Sequence, residues 1–255
     1  MDAVLSEISY PEFPTSMGYM TEAVRTRYIE HAIARKLLPE NAHRMPEVLS
    51  LTASTNLEKP IQFWQLFSVL GPDRIVAIVA DFYQRVFDDE DWFRSVFERV
   101  GPLNHHINTQ ASMWADTMGG GPYYHGAEFR LNFHHTHNAH QLMDEKGARR
   151  WVKLMVQTLD ARGHHMTDDA RVRPAINTFL TYFFARYADD FKFENRETFG
   201  ETNPPLRLKV NFMNMTNEAI AAMSENDLRD ALIGRGVDVS HLKSKQELIE
   251  KAANI

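Results

Sequence analysis

Apolar residues recur at helical spacing along most of the chain. Within residues 73–87, apolar side chains at positions 75, 79, 82 and 86 follow the three- or four-residue step of a helix that buries one face. The same spacing recurs in six further segments, 21–38, 61–70, 88–97, 104–118, 147–161 and 169–188. The pattern therefore predicts an all-α fold.

The pattern changes after Asp190. We expect a helical N-terminal extension over 1–60, a main domain over 61–190, a linker or extended arm over 191–215 and a small helical module over 216–255. Within the arm, Leu206, Leu208, Val210 and Phe212 alternate with polar residues, which is typical of a short strand or an extended segment.

Two capping boxes mark helix starts in the C-terminal module. Ser224 is followed three residues later by Asp227, and Ser244 by Glu247. A serine hydroxyl and a following acidic side chain at this spacing satisfy the free N–H groups of a first helical turn. The module is therefore predicted to hold two short helices.

Composition excludes several classes of function. The chain has 255 residues, a net charge of −6 and no cysteine. We do not expect the chain to bind nucleic acid generally, because such binding needs a basic surface. Without cysteine it has no disulfide and no sulfur-ligated metal. No apolar run approaches the roughly 20 residues of a transmembrane helix. The start of the chain is unlike a targeting peptide, so a cytoplasmic location is the default expectation, and a mitochondrial one requires a presequence already removed.

Four histidines lie within seven positions, at 134, 135, 137 and 140. Imidazole is the commonest protein metal ligand, but three interpretations are open. The histidines can simply be surface residues. His137 and His140, with Asp144, have the spacing of a zinc site. A haem site needs only one proximal histidine beside an apolar pocket.

Helix phase separates these histidines. Leu131 and His135 are four residues apart and share a helix face, whereas His134 and His137 are rotated away from it. On a regular helix only one of the three histidines therefore points where Leu131 points.

Residues 61–190 resemble a truncated haemoglobin, the two-over-two helical variant of the globin fold, and in particular its second group, found in bacteria and plants. The segment DFYQRVFDDEDWFRSVF (81–97) is similar to the family's second helix and the turn after it. MGGGPYYHG (118–126) resembles the hinge before the proximal segment, RLNFHH (130–135) the run that ends in the proximal histidine, and RRWVKLM (149–155) the helix whose tryptophan marks the group.

The resemblance implies a haem b cofactor and a role for each matching residue. His135 aligns with the proximal iron ligand, Tyr83 with the distal tyrosine and Phe97 with the aromatic that stacks on haem. His106 and Gln110 align with the two positions of the distal helix that face bound ligand, and the group-marking indole aligns with Trp151.

The implied function is binding of O2 or another diatomic gas. Tyrosine, amide, imidazole and indole donors stabilise negative charge on a bound ligand, which predicts slow O2 release and suits nitric oxide oxidation or peroxide reduction.

Three features depart from the family. The Pro-Phe pair usual after the proximal histidine is Thr136-His137 here, the interval from His135 to Trp151 is about three residues longer, and long extensions flank the globin block. These departures leave open His134 or His137 as the ligand, and a globin fold without haem that serves as a subunit of a larger assembly.

Residues 224–252 of the tail resemble the helix–loop–helix of the SAP module, some of whose members bind nucleic acid. Residues 205–255 contain seven Lys/Arg and seven Asp/Glu. Because a neutral module lacks electrostatic attraction to phosphates, we expect the tail to dock onto protein, with the arm at 206–212 able to pair with a partner's sheet edge.

Overall fold

A computed structural model of the chain describes residues 10–161, 167–206 and 210–255. Over these ranges the regular structure is helical, and the β-type pairing is one isolated bridge between Ser16 and Gly120. The all-α prediction is therefore confirmed. Of the helices described, none is both long and apolar enough to cross a lipid bilayer. The α-helices are α1 (Thr21–Ala34), α2 (Pro46–Leu49), α3 (Phe67–Phe87), α4 (Asp91–Val100), α5 (Leu103–Thr117), α6 (Ala127–Phe133), α7 (Glu145–Asp160), α8 (Val172–Phe191), α9 (Asn217–Ala222), α10 (Glu225–Gly234) and α11 (Lys245–Ala253).

The helical span α3 is interrupted at the Gly71-Pro72 step, where the first of the two predicted helices was expected to end, so that prediction is confirmed. The backbone kinks there, with Gly71 at a φ of 65° and a ψ of 178°. A Cβ at this position would overlap the ring of Phe13. Glycine therefore serves two needs, the left-handed φ and the close approach of an aromatic ring.

Helix α1 ends at Ala34, four residues before its predicted end, because Lys36 takes a left-handed φ of 58°. Its buried face joins the aromatic core. The ring of Tyr28 lies 4.9 Å from that of Phe63 and 5.2 Å from that of Tyr182 on α8. Edge-to-face contacts at these distances stabilise a core beyond simple burial.

The described residues form two compact units. The first comprises the described residues up to Arg35 together with Glu40–Pro204. Within it, α3 packs against α4, α5 and α7. The N-terminal segment thus belongs to the same unit as the helices that resemble a globin.

The second unit comprises Lys36–Pro39 with Pro205–Ile255. Ser244 and Glu247 form the predicted capping box. The Ser224 hydroxyl accepts a hydrogen bond from the backbone N–H of Asp227 and donates one to the Asp227 carboxylate, so only the first half of the second predicted box is present. Residues 207–209 of the predicted arm lie outside the described residues. The buried core of this unit is Phe212, Ile220, Leu228, Ala231, Leu232, Val239, Leu248 and Ala252.

Candidate functional site

The helices of the first unit enclose a cavity of about 360 Å³. Aromatic and aliphatic side chains from α3, α4, α5, α7 and α8 make up most of its wall. Among the described residues that line it there is no Asp or Glu, and Arg130 is the single cationic group of fixed charge. An apolar cavity of this size with a few polar groups is typical of a small-molecule or cofactor site.

The histidine-rich segment forms part of the cavity wall. Helix α6 continues into one π-helical turn over His134–Asn138 and then a 3-10 turn over His140–Leu142. His134 and His135 both line the cavity. His137 is exposed and stacks on Phe133, with ring centroids 4.3 Å apart, and His140 is also exposed.

This arrangement corrects the helix-phase argument, which let only one of the three histidines face the cavity. A π-helical turn holds more residues than an α-helical turn, so successive side chains are rotated by smaller steps. His134, expected to point away, therefore reaches the cavity beside His135.

The zinc interpretation was wrong. Across residues 10–161, 167–206 and 210–255, no three His, Asp or Glu side chains come together as a metal-ion site. Asp144, the third member of the expected zinc set, instead accepts a hydrogen bond of 2.7 Å from the backbone N–H of Gly147. It is the N-cap of α7.

The His135 imidazole is held neutral. Its pKa is lowered to about 3, chiefly by burial and then by the nearby His134. Its Nδ1 atom is buried without a hydrogen-bond partner; the carbonyl of Leu131 is near enough to oppose the pKa shift slightly but is not in hydrogen-bonding geometry. Neutral imidazole is the form that binds metal, so the chemistry of this side chain suits an iron ligand.

His134 is also held neutral, for a different set of reasons. Burial again is the largest cause and lowers its pKa to about 4. Positive charge on His106, His105 and Arg130 would add to the cost of protonating it. The two adjacent imidazoles are therefore both uncharged at neutral pH.

Tyr83 and Gln110 form a hydrogen-bonded pair in the cavity wall. The Tyr83 hydroxyl donates to Oε1 of Gln110 over 2.7 Å. Tyr83 comes from the second half of α3 and is buried, which raises the pKa of its phenol. The hydroxyl therefore stays protonated and can act as a donor.

His106 lies beside this pair and is buried at 3% exposure, although its neighbour His105 is exposed. Its ring centroid is 5.2 Å from that of Tyr83. Its Nε2 atom is 2.9 Å from the carbonyl oxygen of Phe97. Since that carbonyl only accepts, the hydrogen bond places the Nε2 proton on His106 and fixes its tautomer.

Phe97 and Trp151 supply aromatic surface to the same cavity. Phe97 is buried, and its ring centroid is 5.2 Å from that of Phe93. Trp151 on α7 is half-buried, with its ring 4.6 Å from that of Phe82. No described residue hydrogen-bonds its indole N–H, which remains a free donor.

The six residues that the sequence resemblance selected thus line the same cavity: Tyr83, Phe97, His106, Gln110, Trp151 and His135. Sequence reasoning missed Arg130 and Tyr187, which line it too. Tyr187 follows Phe183 by four residues on the aromatic face of α8, but helical spacing cannot tell a core aromatic from one beside a cavity.

An all-α unit whose helices enclose an apolar cavity, with a histidine-bearing turn in the wall, has the architecture of a globin. Comparison with known proteins gives the same result. The profile of the "Bacterial-like globin" family matches residues 65–185. The match identifies this part of the chain as a globin domain.

Two similar plant proteins are named as truncated, or two-on-two, haemoglobins. "Group 2 truncated hemoglobin 3-1" of Lotus japonicus is 29% identical over 109 residues, which are 42% of this chain and 63% of that protein. "Two-on-two hemoglobin-3" of Arabidopsis thaliana is 26% identical over 133 residues, 52% of this chain and 74% of that protein. The chain thus spans less than two thirds of the Lotus protein.

Proposed function

We propose that this chain binds haem in the cavity of its globin domain, with His135 as the iron ligand, and that it binds O2 or a related diatomic gas there. The observation that carries the proposal is the His135 imidazole, which lines an apolar cavity, is held neutral by burial and has a buried Nδ1 without a partner. Such a side chain lacks the satisfied hydrogen bonds of an ordinary buried histidine.

The remaining wall fits the same group. Haem is a flat apolar ring with two carboxylates at one edge. The described lining offers aromatic surface, no acidic side chain and one guanidinium, that of Arg130. Arg130 makes a long hydrogen bond of 3.5 Å from Nη2 to Thr109 Oγ1 and has no carboxylate partner among the described residues. The described lining therefore places no acidic group against the haem carboxylates.

Haem, when bound, supplies an iron atom that binds a diatomic gas. The Gln110 amide N–H and the Trp151 indole N–H are donors that this chain offers to a ligand in the cavity, and the Tyr83 hydroxyl becomes a third when its proton turns from Gln110 Oε1 to the ligand. Fixed donors in a water-poor site stabilise negative charge on such a ligand. These donors favour slow O2 release. We further propose that they favour oxidation of nitric oxide or reduction of peroxide.

Titration of the full-length apoprotein with haem tests the proposal. We expect a Soret band that saturates at one haem per chain, and a ferrous form whose spectrum changes on exposure to O2 and CO. No saturable binding would overturn the haem assignment and would favour a globin fold that acts as a scaffold in an assembly.

A further inference from the structure

The turn that carries His135 gives its side chain little support of its own. Residues His134–Asn138 form a π-helical turn, in which the backbone N–H of Ala139 donates to the carbonyl of His134 over 3.0 Å. The Nδ1 atom of His135 has no acceptor in hydrogen-bonding geometry among the described residues, although the Leu131 carbonyl, four residues earlier, lies nearby. Packing against other elements therefore helps to set the orientation of the ring.

Tyr187 on α8 provides the closest ring contact. Its ring centroid lies 4.2 Å from that of His135, at an interplanar angle of 43°. The other ring neighbour of His135, His134, is 5.2 Å away and belongs to the same turn. Tyr187 is in turn held by Phe183 and Phe184, whose ring centroids lie 6.1 Å and 6.2 Å from its own.

The contact between the Tyr187 and His135 rings is steric. The Tyr187 hydroxyl makes no hydrogen bond with the described residues, and burial raises the pKa of the phenol, so that it stays neutral. Rotation of the His135 ring about its Cβ–Cγ bond would drive one edge into the Tyr187 ring. A ring at 4.2 Å therefore restricts the side chain to a narrow range of orientations.

We propose that Tyr187 is a positioning residue, which sets the orientation of the His135 imidazole through ring packing. The proposal rests on the proposed function, since it concerns the residue that would hold the iron. Neighbours of a metal ligand commonly fix its orientation by hydrogen bonds, and their loss changes the properties of the metal. Here the aromatic ring of Tyr187, on a different helix, fixes the orientation by packing.

Resonance Raman spectroscopy of the full chain, reconstituted with haem and reduced, tests this inference. The iron–histidine stretching band reports the bond between the metal and its imidazole. We expect Tyr187→Leu, which removes the ring, to shift and broaden this band. Tyr187→Phe keeps the ring and loses only the hydroxyl, so its band should match the wild type.

Tyr182→Leu is the matched control. Tyr182 is also on α8 and is buried at 7% exposure, but it packs on Tyr28 and Phe63 and does not line the cavity. It should lower stability without shifting the band. If Tyr187→Leu does not fold, Tyr187→Met, whose flexible chain fills similar space, replaces it with the same expected shift.

Three results would overturn the inference. An unshifted band in Tyr187→Leu or its Met substitute would show that the ring does not orient the ligand. A shift as large in Tyr187→Phe would assign the effect to the hydroxyl, and one as large in Tyr182→Leu would assign it to general loosening. In each case haem is bound and the proposed function stands, whereas failure of the wild-type chain to bind haem ends both.

Discussion

His134 and His135 are adjacent in the sequence and share one cavity wall, yet their surroundings differ. His134 lies near His105, His106 and Arg130, and the charge of Arg130, or a proton on either histidine, disfavours its protonation. His135 faces the Tyr187 ring and has a buried ring nitrogen without a partner. The residue with the unsatisfied nitrogen and the restricted ring is the better candidate for a metal ligand.

Replacement of Tyr83 by Phe removes the hydroxyl that donates to Gln110 and keeps the ring. The same hydroxyl can donate to O2 bound in the cavity, and a hydrogen bond to an acceptor that carries negative charge contributes about 1.5–3 kcal/mol. We therefore expect the O2 dissociation rate of the haem-loaded chain to rise roughly tenfold or more, as measured by stopped-flow displacement with CO.

Tyr123→Phe is the control for this measurement, because Tyr123 is 53% exposed and does not line the cavity. Its dissociation rate should equal that of the wild type. An unchanged rate in Tyr83→Phe would mean that the hydroxyl does not contact bound O2.

Arg130 is expected to recognise the carboxylates of haem. Its guanidinium lies 4.7 Å from the ring centroid of Tyr124 and has no acidic partner among the described residues. Arg130→Gln should weaken binding of haem but leave binding of haem dimethyl ester, which has no free carboxylate, nearly unchanged. Fluorescence quenching titrations of the apoprotein measure both affinities.

Arg99→Gln is the matched variant for Arg130, since Arg99 is exposed and bonds to Gln141 outside the cavity lining. It should bind both forms of haem like the wild type. Equal loss of affinity for haem and its ester in Arg130→Gln would speak against carboxylate recognition and for a loss of packing.

Among the elements, the regular helices could be predicted from the sequence and the histidine-bearing turn could not. Helices α5 and α7 lie within two residues of their predicted ends, because a half-buried helix leaves a clear apolar period. The π-helical turn at 134–138 changes that period over a single turn, which is too short to detect in one sequence.

The residues of the candidate site that belong to local sequence motifs could be predicted. His106 and Gln110 lie one turn apart on α5, so their common face follows from the sequence. Contacts between distant elements, such as that of Tyr187 with His135, depend on how α8 packs against the turn. No spacing in the sequence encodes that distance.

The junction between α5 and α6 is held by one buried carboxylate. Asp116 accepts hydrogen bonds from the backbone N–H groups of Met20 and Tyr124, over 2.7 Å and 2.9 Å, and from that of Tyr19 over 3.2 Å. It thereby ties the segment before α1 to the segment before α6.

Asp116→Ala should strongly destabilise this junction. Each buried N–H left without an acceptor costs about 1–3 kcal/mol, so we expect the free energy of unfolding to fall by about 3 kcal/mol or more in urea titrations. Asp189→Ala, at an exposed position on α8, should change it little. A small effect in both variants would mean that water replaces the carboxylate.

At the scale of the whole molecule, the cavity belongs to one unit. The described residues that line it lie between Tyr83 and Phe193, within the unit that continues to Pro204. The second unit has its own buried core, from Phe212 to Ala252. Among the described residues, those that line the globin site therefore include none from the C-terminal helices.

A chain that ends at Pro204 should consequently bind haem with the stoichiometry and the ferrous spectrum of the full chain. Haem titration of both, with circular dichroism to follow folding, provides the comparison. Loss of haem binding in a shortened chain that remains helical would show that the C-terminal unit contributes to the site.

The central claim is that His135 holds haem in the globin cavity. Its most direct test is the absorption spectrum of the ferrous, haem-reconstituted full chain in His135→Gly, with and without added imidazole, beside His137→Gly. We predict that the wild-type spectrum is lost in His135→Gly, returns when imidazole fills the space and is unchanged in His137→Gly. A His135→Gly spectrum identical to that of the wild type would contradict the account.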